Sequence, residues 1–313
     1  MKRFLIMIMA LFALVALSAC GKKEYPYDGE FMAFAHGENL EVTMVTVTIK
    51  KGKITGYYID SIQSTRKEII KEEITTYESK WNEKSKKELG YYYGMHAPQA
   101  GTMPVTADNL ETYKAYLEEE NKLEWFEQAE LIEKAWLKDG VDSVTYGKNN
   151  VIDNVSGVTV RGDTYVKLAK EAVANAKLGK YQAVVVSGSD LYSAYMLVDK
   201  KKIKELVIDT RQEASKETDE DFAWKEKTKQ QLGYYYGMHA PQAGTMPVTA
   251  ENLETYKAYL EEENKLEWFE QVAIITDDVI KNGKDSKVDK TAGVTIITDN
   301  YYQLIAKLFA YKK

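Results

Sequence analysis

A stretch of 40 residues occurs twice in this chain. Leu89 to Gln128 reads LGYYYGMHAPQAGTMPVTADNLETYKAYLEEENKLEWFEQ, and Leu232 to Gln271 repeats it at an offset of 143, with one change, Glu251 for Asp108. One repeat pair of this length means two domains, because a solenoid needs several short units. The chain length of 313 residues agrees with that count. Outside the block the copies have diverged but still correspond, as in Thr48 to Ile54 against Leu197 to Ile203. The second copy therefore starts near Gly179 after a short polar linker, giving units over 20–178 and 179–313.

Each copy opens with strands. Glu41 to Ile49 and Ile54 to Ile62, rich in Val, Ile, Thr and Tyr, flank Lys50-Lys51-Gly52-Lys53 as an antiparallel hairpin. Ala183 to Ser187, Ser193 to Val198 and Ile203 to Thr210 take the same roles in the second copy. From Thr106 the repeated block turns helical, with Leu110, Tyr113, Leu117 and Trp125 on one face and Thr106 or Asp108 as cap. Each copy closes with an amphipathic helix. Tyr165, Leu168, Ala169, Ala172, Val173 and Ala176 follow Asp163, and Tyr301, Leu304, Ile305, Leu308 and Phe309 follow Asp299. Strands then helices, twice, predict an α+β fold.

Ahead of the first unit, Lys2 and Arg3 precede an apolar run from Phe4 to Leu17 that is too short to span a bilayer. This order predicts a signal peptide over 1–19. Leu17-Ser18-Ala19-Cys20-Gly21 then resembles a bacterial lipobox, whose cysteine is alkylated by diacylglycerol. Cys20 is the one cysteine of the chain, which excludes intrachain disulfides and CxxC metal or haem motifs. The expectation is a protein lipid-anchored at the extracytoplasmic face of the cell membrane through Cys20. A net charge of −6, with Lys and Glu intermixed, argues against a nucleic-acid partner.

The residues that point to chemistry stand just before each closing helix. Asp153-Asn154-Val155-Ser156-Gly157-Val158-Thr159 corresponds to Asp289-Lys290-Thr291-Ala292-Gly293-Val294-Thr295, and both read Asp-x-x-small-Gly-Val-Thr. A glycine two residues ahead of a hydroxyl lets the backbone come close to a bulky group. A helix beginning four residues later directs its N-terminal N–H groups back toward that hydroxyl. An anionic phosphate on Thr159 or Thr295 would be well placed.

This motif is similar to the flavinylation sequence of the FMN-binding domain family, Asp-x-x-Ser/Thr-Gly-Ala-Thr/Ser, in which the last hydroxyl carries FMN through a phosphodiester. The family includes subunits of sodium-pumping and Rnf-type redox complexes, and the two-domain lipoprotein layout resembles the twin-flavin lipoproteins of Gram-positive extracellular electron transfer. The resemblance implies two tandem FMN-binding domains with two covalent FMN groups. Asp153, Ser156, Gly157, Val158 and Thr159 would form one site, and Asp289, Gly293, Val294 and Thr295 the other. It also implies a flavin transferase as partner, a membrane quinol-linked electron donor and an external acceptor such as ferric iron. Two positions depart from the pattern. Val158 and Val294 stand where the family has Ala, bulkier beside the acceptor, and Ala292 lacks the hydroxyl of Ser156.

No nucleophile–base–orienter set is legible, so the chain reads as a carrier and not as an enzyme. His96 and His239 have no second His or Cys near them in sequence, which favours packing over metal ligation and leaves no metal site. The tyrosine triplets 91–93 and 234–236, with Met95 and Met238, suit either the lining of a flavin ring or the core. Glu118 to Glu120 and Glu261 to Glu263 read as solvated helix faces. The alternative reading is a binding or adhesion lipoprotein whose duplicated aromatic block recognises a ligand, with unmodified threonines.

Overall fold

The structure is a computed structural model that describes residues 24–37, 40–71, 74–214, 224–288 and 292–313. The signal segment, Cys20 and Asp289 lie outside the described residues. Two antiparallel sheets carry the fold, one for each copy. The first runs β1 (Gly29–His36), β2 (Glu41–Lys50), β3 (Lys53–Lys71) and β4 (Ile74–Trp81), and the second β5 (Lys180–Ser187), β6 (Asp190–Asp199) and β7 (Lys202–Arg211). Neighbours in sequence are neighbours in each sheet, the arrangement that short hairpin turns dictate. The duplication extends to fine detail, since the same register shift falls between Thr48 and Ile49 and between Leu197 and Val198.

Among the described residues six helices run ten residues or more: α1 (Leu110–Glu119), α2 (Trp125–Asp139), α3 (Asp163–Leu178), α4 (Leu253–Glu262), α5 (Trp268–Asn282) and α6 (Asp299–Tyr311). α1 and α4 pack within the repeated block in small clusters of their own, and the other four lie on the sheets. In the first copy α3 lies on β1 and β2 and α2 on β3; in the second α6 lies on β5 and β6 and α5 on β7. The apolar face of α3 explains its seat, because Leu168, Ala169, Ala172 and Ala176 are all buried. Mixed α and β with antiparallel sheets is thus the observed class.

Several boundaries differ from expectation. The helical periodicity that joined Leu110 to Trp125 is broken by Asn121, which takes a left-handed φ of 48° and ends α1; Trp125 starts a new helix. Asn109, not Thr106 or Asp108, caps α1, and its side chain organises the loop before it by accepting from Thr106 N at 2.8 Å and donating to Thr102 O at 3.1 Å. Asp163 and Asp299 sit one position inside their helices, behind Gly162 and Thr298, where a first-turn carboxylate still favours the positive end of the helix. The polar linker is a single residue, Gly179, because Lys177 belongs to the last turn of α3 and Lys180 to β5. Gly179 adopts φ +72°, and a Cβ there would strike Tyr27 at 2.5 Å and Val198 O at 2.8 Å.

The two copies pack against one another. Phe31 of β1 stacks on Tyr181 of β5 with ring centroids 4.5 Å apart. Asn175 of α3 donates to Met32 O at 2.9 Å and to Gln182 Oε1 at 2.8 Å. One apolar cluster runs from Phe31, Ile59 and Trp136 in the first copy to Met196, Trp268 and Leu308 in the second. Lys312 bridges to Gly29, and Lys313 Nζ reaches Glu30 at 2.8 Å.

Candidate functional site

Thr159 lies on the turn between Ile152 and the start of α3, and its placement follows from one buried side chain. Gln128, in the first turn of α2, accepts from Thr159 N at 2.7 Å and from Thr159 Oγ1 at 3.2 Å through the same Oε1. The other end of that amide is also fixed, since Nε2 donates to Leu123 O at 2.9 Å and lies 3.6 Å from Met95 Sδ. The second copy repeats the device. Gln271 Oε1 accepts from Thr295 N at 2.7 Å, Thr295 Oγ1 at 3.3 Å and Ile296 N at 3.1 Å, while Nε2 donates to Leu266 O at 2.9 Å. Gln128 and Gln271 are buried, and both threonines are exposed. A buried amide with all its groups paired gives a rigid support to a hydroxyl that solvent can reach.

The glycine of each motif has a steric reason. Gly157 adopts φ +81° and Gly293 φ +87°, and a Cβ would meet Leu123 Cδ1 at 2.9 Å in the first case and Leu266 Cδ1 at 3.2 Å in the second. The valines between glycine and threonine point inward. Val158 and Val294 are both buried in the core cluster, so their bulk adds apolar burial of about 1.5–3 kcal/mol instead of crowding the threonine hydroxyls, contrary to the sequence expectation.

Asp153 and Ser156 are placed differently. Asp153 is exposed and accepts from Thr145 Oγ1 at 2.8 Å, while its own N–H donates to Thr145 O at 3.2 Å. It therefore pins the loop to the preceding segment and is not brought against Thr159. Ser156 is exposed, as is Ala292 in the second copy, so the loss of that hydroxyl leaves no buried partner stranded.

The repeated block builds the platform beneath the turn. Glu124, completely buried, caps α2, accepts from Met95 N at 3.2 and 3.1 Å, and accepts a hydrogen bond from the Tyr113 hydroxyl. Tyr113 Oη in turn accepts from His96 N at 3.0 Å. Burial pushes the Glu124 carboxyl above the usual carboxylate range, although hydrogen bonds from Tyr113, Trp125 and Met95 draw it down. His96 Nε2 donates to Leu123 O at 3.3 Å, the carbonyl that also receives Gln128, and His239 does the same with Leu266 O at 3.2 Å. These histidines hold a turn together. Among the described residues, no group of His, Cys, Asp and Glu is arranged to hold a metal.

The tyrosine triplets pack on α2 and α5. Tyr91 stands edge-on to Phe126 at 5.1 Å and donates to Glu127 at 3.0 Å, Tyr93 packs on Trp125 at 6.3 Å, and Tyr92 is exposed. Beneath Tyr93 and Trp125 lies the buried Lys86, whose ammonium is 2.9 Å from Glu41. Lys229 occupies the matching place under Tyr236 and Trp268, but its acid, Asp190, is one methylene shorter and 4.0 Å away.

Sequence reasoning missed Gln128 and Gln271 as site residues. The available signal was the end of the duplicated block, whose last residue in each copy is the glutamine that holds the threonine.

No family model matches the chain, and no curated protein matches it. A solution NMR structure of a protein from Clostridium thermocellum is 22% identical with a TM-score of 0.27, covering 48% of this chain and 91% of its own. No helix among the described residues is long and apolar enough to cross a membrane.

Proposed function

We propose that this chain is an extracytoplasmic, lipid-anchored flavoprotein that carries electrons from a membrane quinol-linked donor to an external acceptor such as ferric iron, with FMN bound through phosphate to Thr159 and to Thr295. The observation that carries this reading is the repetition of one device, an exposed threonine hydroxyl held from behind by a buried glutamine, in copies that have diverged elsewhere. The residues fit the group: the hydroxyl is accessible, the glycine before it removes a Cβ that Leu123 or Leu266 would strike, and the valine turns inward. When bound, FMN would supply reversible two-electron chemistry, and the protein supplies position and surroundings. Gln128 and Gln271 fix the acceptor turn, and Glu124 and Glu267 anchor the loop that supports it. A covalent tether also suits a carrier outside the cell, where dilution strips a loosely held group by mass action.

Co-expression with a flavin transferase, followed by intact-mass measurement, tests the assignment. Two added FMN groups are expected on the wild type. Ferric reduction by intact cells should fall when both threonines are alanine, and Cys20→Ala should release the protein from the membrane.

A second reading, a ligand-binding lipoprotein with unmodified threonines, is favoured by the exposure of Tyr92 and Tyr235 and of Met103 and Met246 at equivalent positions of the block. It requires that the mass show no flavin.

A further inference from the structure

A cleft of about 1010 Å³ lies where the outer face of the first sheet meets the second copy. Its floor is the side of β1 to β3 turned away from α3, where Met32, Met44 and Ile62 form an apolar patch beside Thr46, Thr48, Tyr58 and Asp60. Trp81 at the end of β4 forms one side, and the turn after β5 with the C-terminal half of α6 forms the other. Neither threonine nor its glutamine lines it. The volume is at the upper end of the range for small-molecule sites, and flexible methionines beside aromatic rings suit an apolar body of variable outline.

The charges around the cleft are unevenly placed. Glu30 is paired with Lys313, and Asp60 accepts backbone N–H groups from Ser61 at 2.8 Å and Lys87 at 3.1 Å. Lys80, Glu83 and Glu88 are exposed. Lys307 of α6 is half-buried, as Glu30 is, but unlike Glu30 it has no partner of opposite charge: its ammonium donates to the neutral Val184 O at 2.9 Å, and no carboxylate of the described residues lies within 4.0 Å. Burial draws this ammonium below its usual range, with Glu88 only partly opposing. A desolvated cation facing a neutral partner gains from an incoming anion.

We infer that this cleft is a second ligand site, apart from both threonines, that takes an amphipathic organic anion. An aromatic or alkyl body lies against Met32, Met44 and Trp81, and the carboxylate or sulfonate meets Lys307. The site belongs to neither copy alone, since the floor comes from the first and the cation from the second.

Fluorescence titration of the mature protein with 1-anilinonaphthalene-8-sulfonate, and with the uncharged N-phenyl-1-naphthylamine, tests it. One saturable sulfonate site is expected. Lys307→Gln should weaken the sulfonate about tenfold while changing the uncharged dye less than about twofold, and Lys307→Arg should retain binding. Met44→Glu should abolish binding of both dyes with the thermal midpoint kept within a few degrees. The Thr159→Ala/Thr295→Ala variant should bind the sulfonate like wild type, so that failure of the flavin reading leaves this result standing. The inference is overturned if Lys307→Gln binds the sulfonate at wild-type affinity, or if Met44→Glu still binds both dyes.

Discussion

Gln128 grips Thr159 through a single carbonyl oxygen, which takes both the backbone N–H and the side-chain hydroxyl. Gln128→Leu would leave the Thr159 amide without its partner, while the Leu123 carbonyl keeps His96, at a cost of about 1–3 kcal/mol. In the second copy the same oxygen also takes Ile296 N, so Gln271→Leu should cost more. Chemical denaturation of the two variants measures the difference, and equal losses would show that the third bond contributes nothing.

A phosphodiester needs a hydroxyl. Thr159→Ala and Thr295→Ala should therefore each remove one FMN from protein made with a flavin transferase, and the double variant should remove both. Intact mass reads the count directly. Flavin retained on the double variant would refute the assignment.

The acceptor glycines differ in how much room they have. Gly157→Ala forces a left-handed alanine to within 2.9 Å of Leu123, whereas Gly293→Ala meets Leu266 at 3.2 Å. Left-handed backbone costs an alanine roughly 1–2 kcal/mol, and the tighter contact should make the first substitution the worse. Thermal unfolding of the pair should rank them in that order.

The hairpin turns supply a stabilising change. Gly52 at φ +72° in the first copy corresponds to Lys201 at φ +68° in the second, where a side chain bears the left-handed strain. Lys201→Gly should raise stability by about 0.5–1 kcal/mol after the entropy of the freer unfolded chain is counted. Gly52→Ala should lower it.

The buried ion pairs should titrate in opposite directions. Burial raises Glu41, but the Lys86 ammonium and hydrogen bonds from Ser61, Lys86 and Gln63 more than offset it and hold the carboxyl below its ordinary value of 4.5. Its contribution is present above that pH and is lost as pH falls through the depressed value. Asp190 is raised by burial, because Lys229 at 4.0 Å compensates too little. Its protonated form is favoured on folding, so its contribution is present below its ordinary 3.8 and is lost as pH rises through the raised value. Glu41→Gln strands a buried ammonium and should cost about 3–5 kcal/mol at neutral pH, Asp190→Asn clearly less. Stability measured against pH for each variant checks both signs.

The hairpins and closing helices were legible because β-branched runs and helical spacing are local signals. Of the residues that the spacing selected, Leu168, Ala169, Ala172 and Ala176 in α3 and Tyr301, Leu304, Ile305 and Leu308 in α6 are buried, while Tyr165, Val173 and Phe309 are partly buried. β1 was not legible. Gly29 to His36 reads GEFMAFAH, with alanine, phenylalanine and methionine in place of β-branched residues, and it becomes a strand by pairing with β2. The acceptor turn could be found from its motif, but the glutamine that secures it lies 31 residues away and is recognisable only once the chain has folded. The contact between copies was equally hidden, since Asn175 and Gln182 look like surface residues until they meet across it.

The bridge from Lys312 to Gly29, backed by Lys313 and Glu30, brings the last residues alongside the first strand. A stretch of sequence nearly three hundred residues long thus closes into a loop whose ends lie side by side. Trimming the tail should be felt first at β1, far away in sequence, as faster amide exchange along that edge. A fluorophore at the tail would then report on events at the membrane-proximal end if the leader is anchored as proposed.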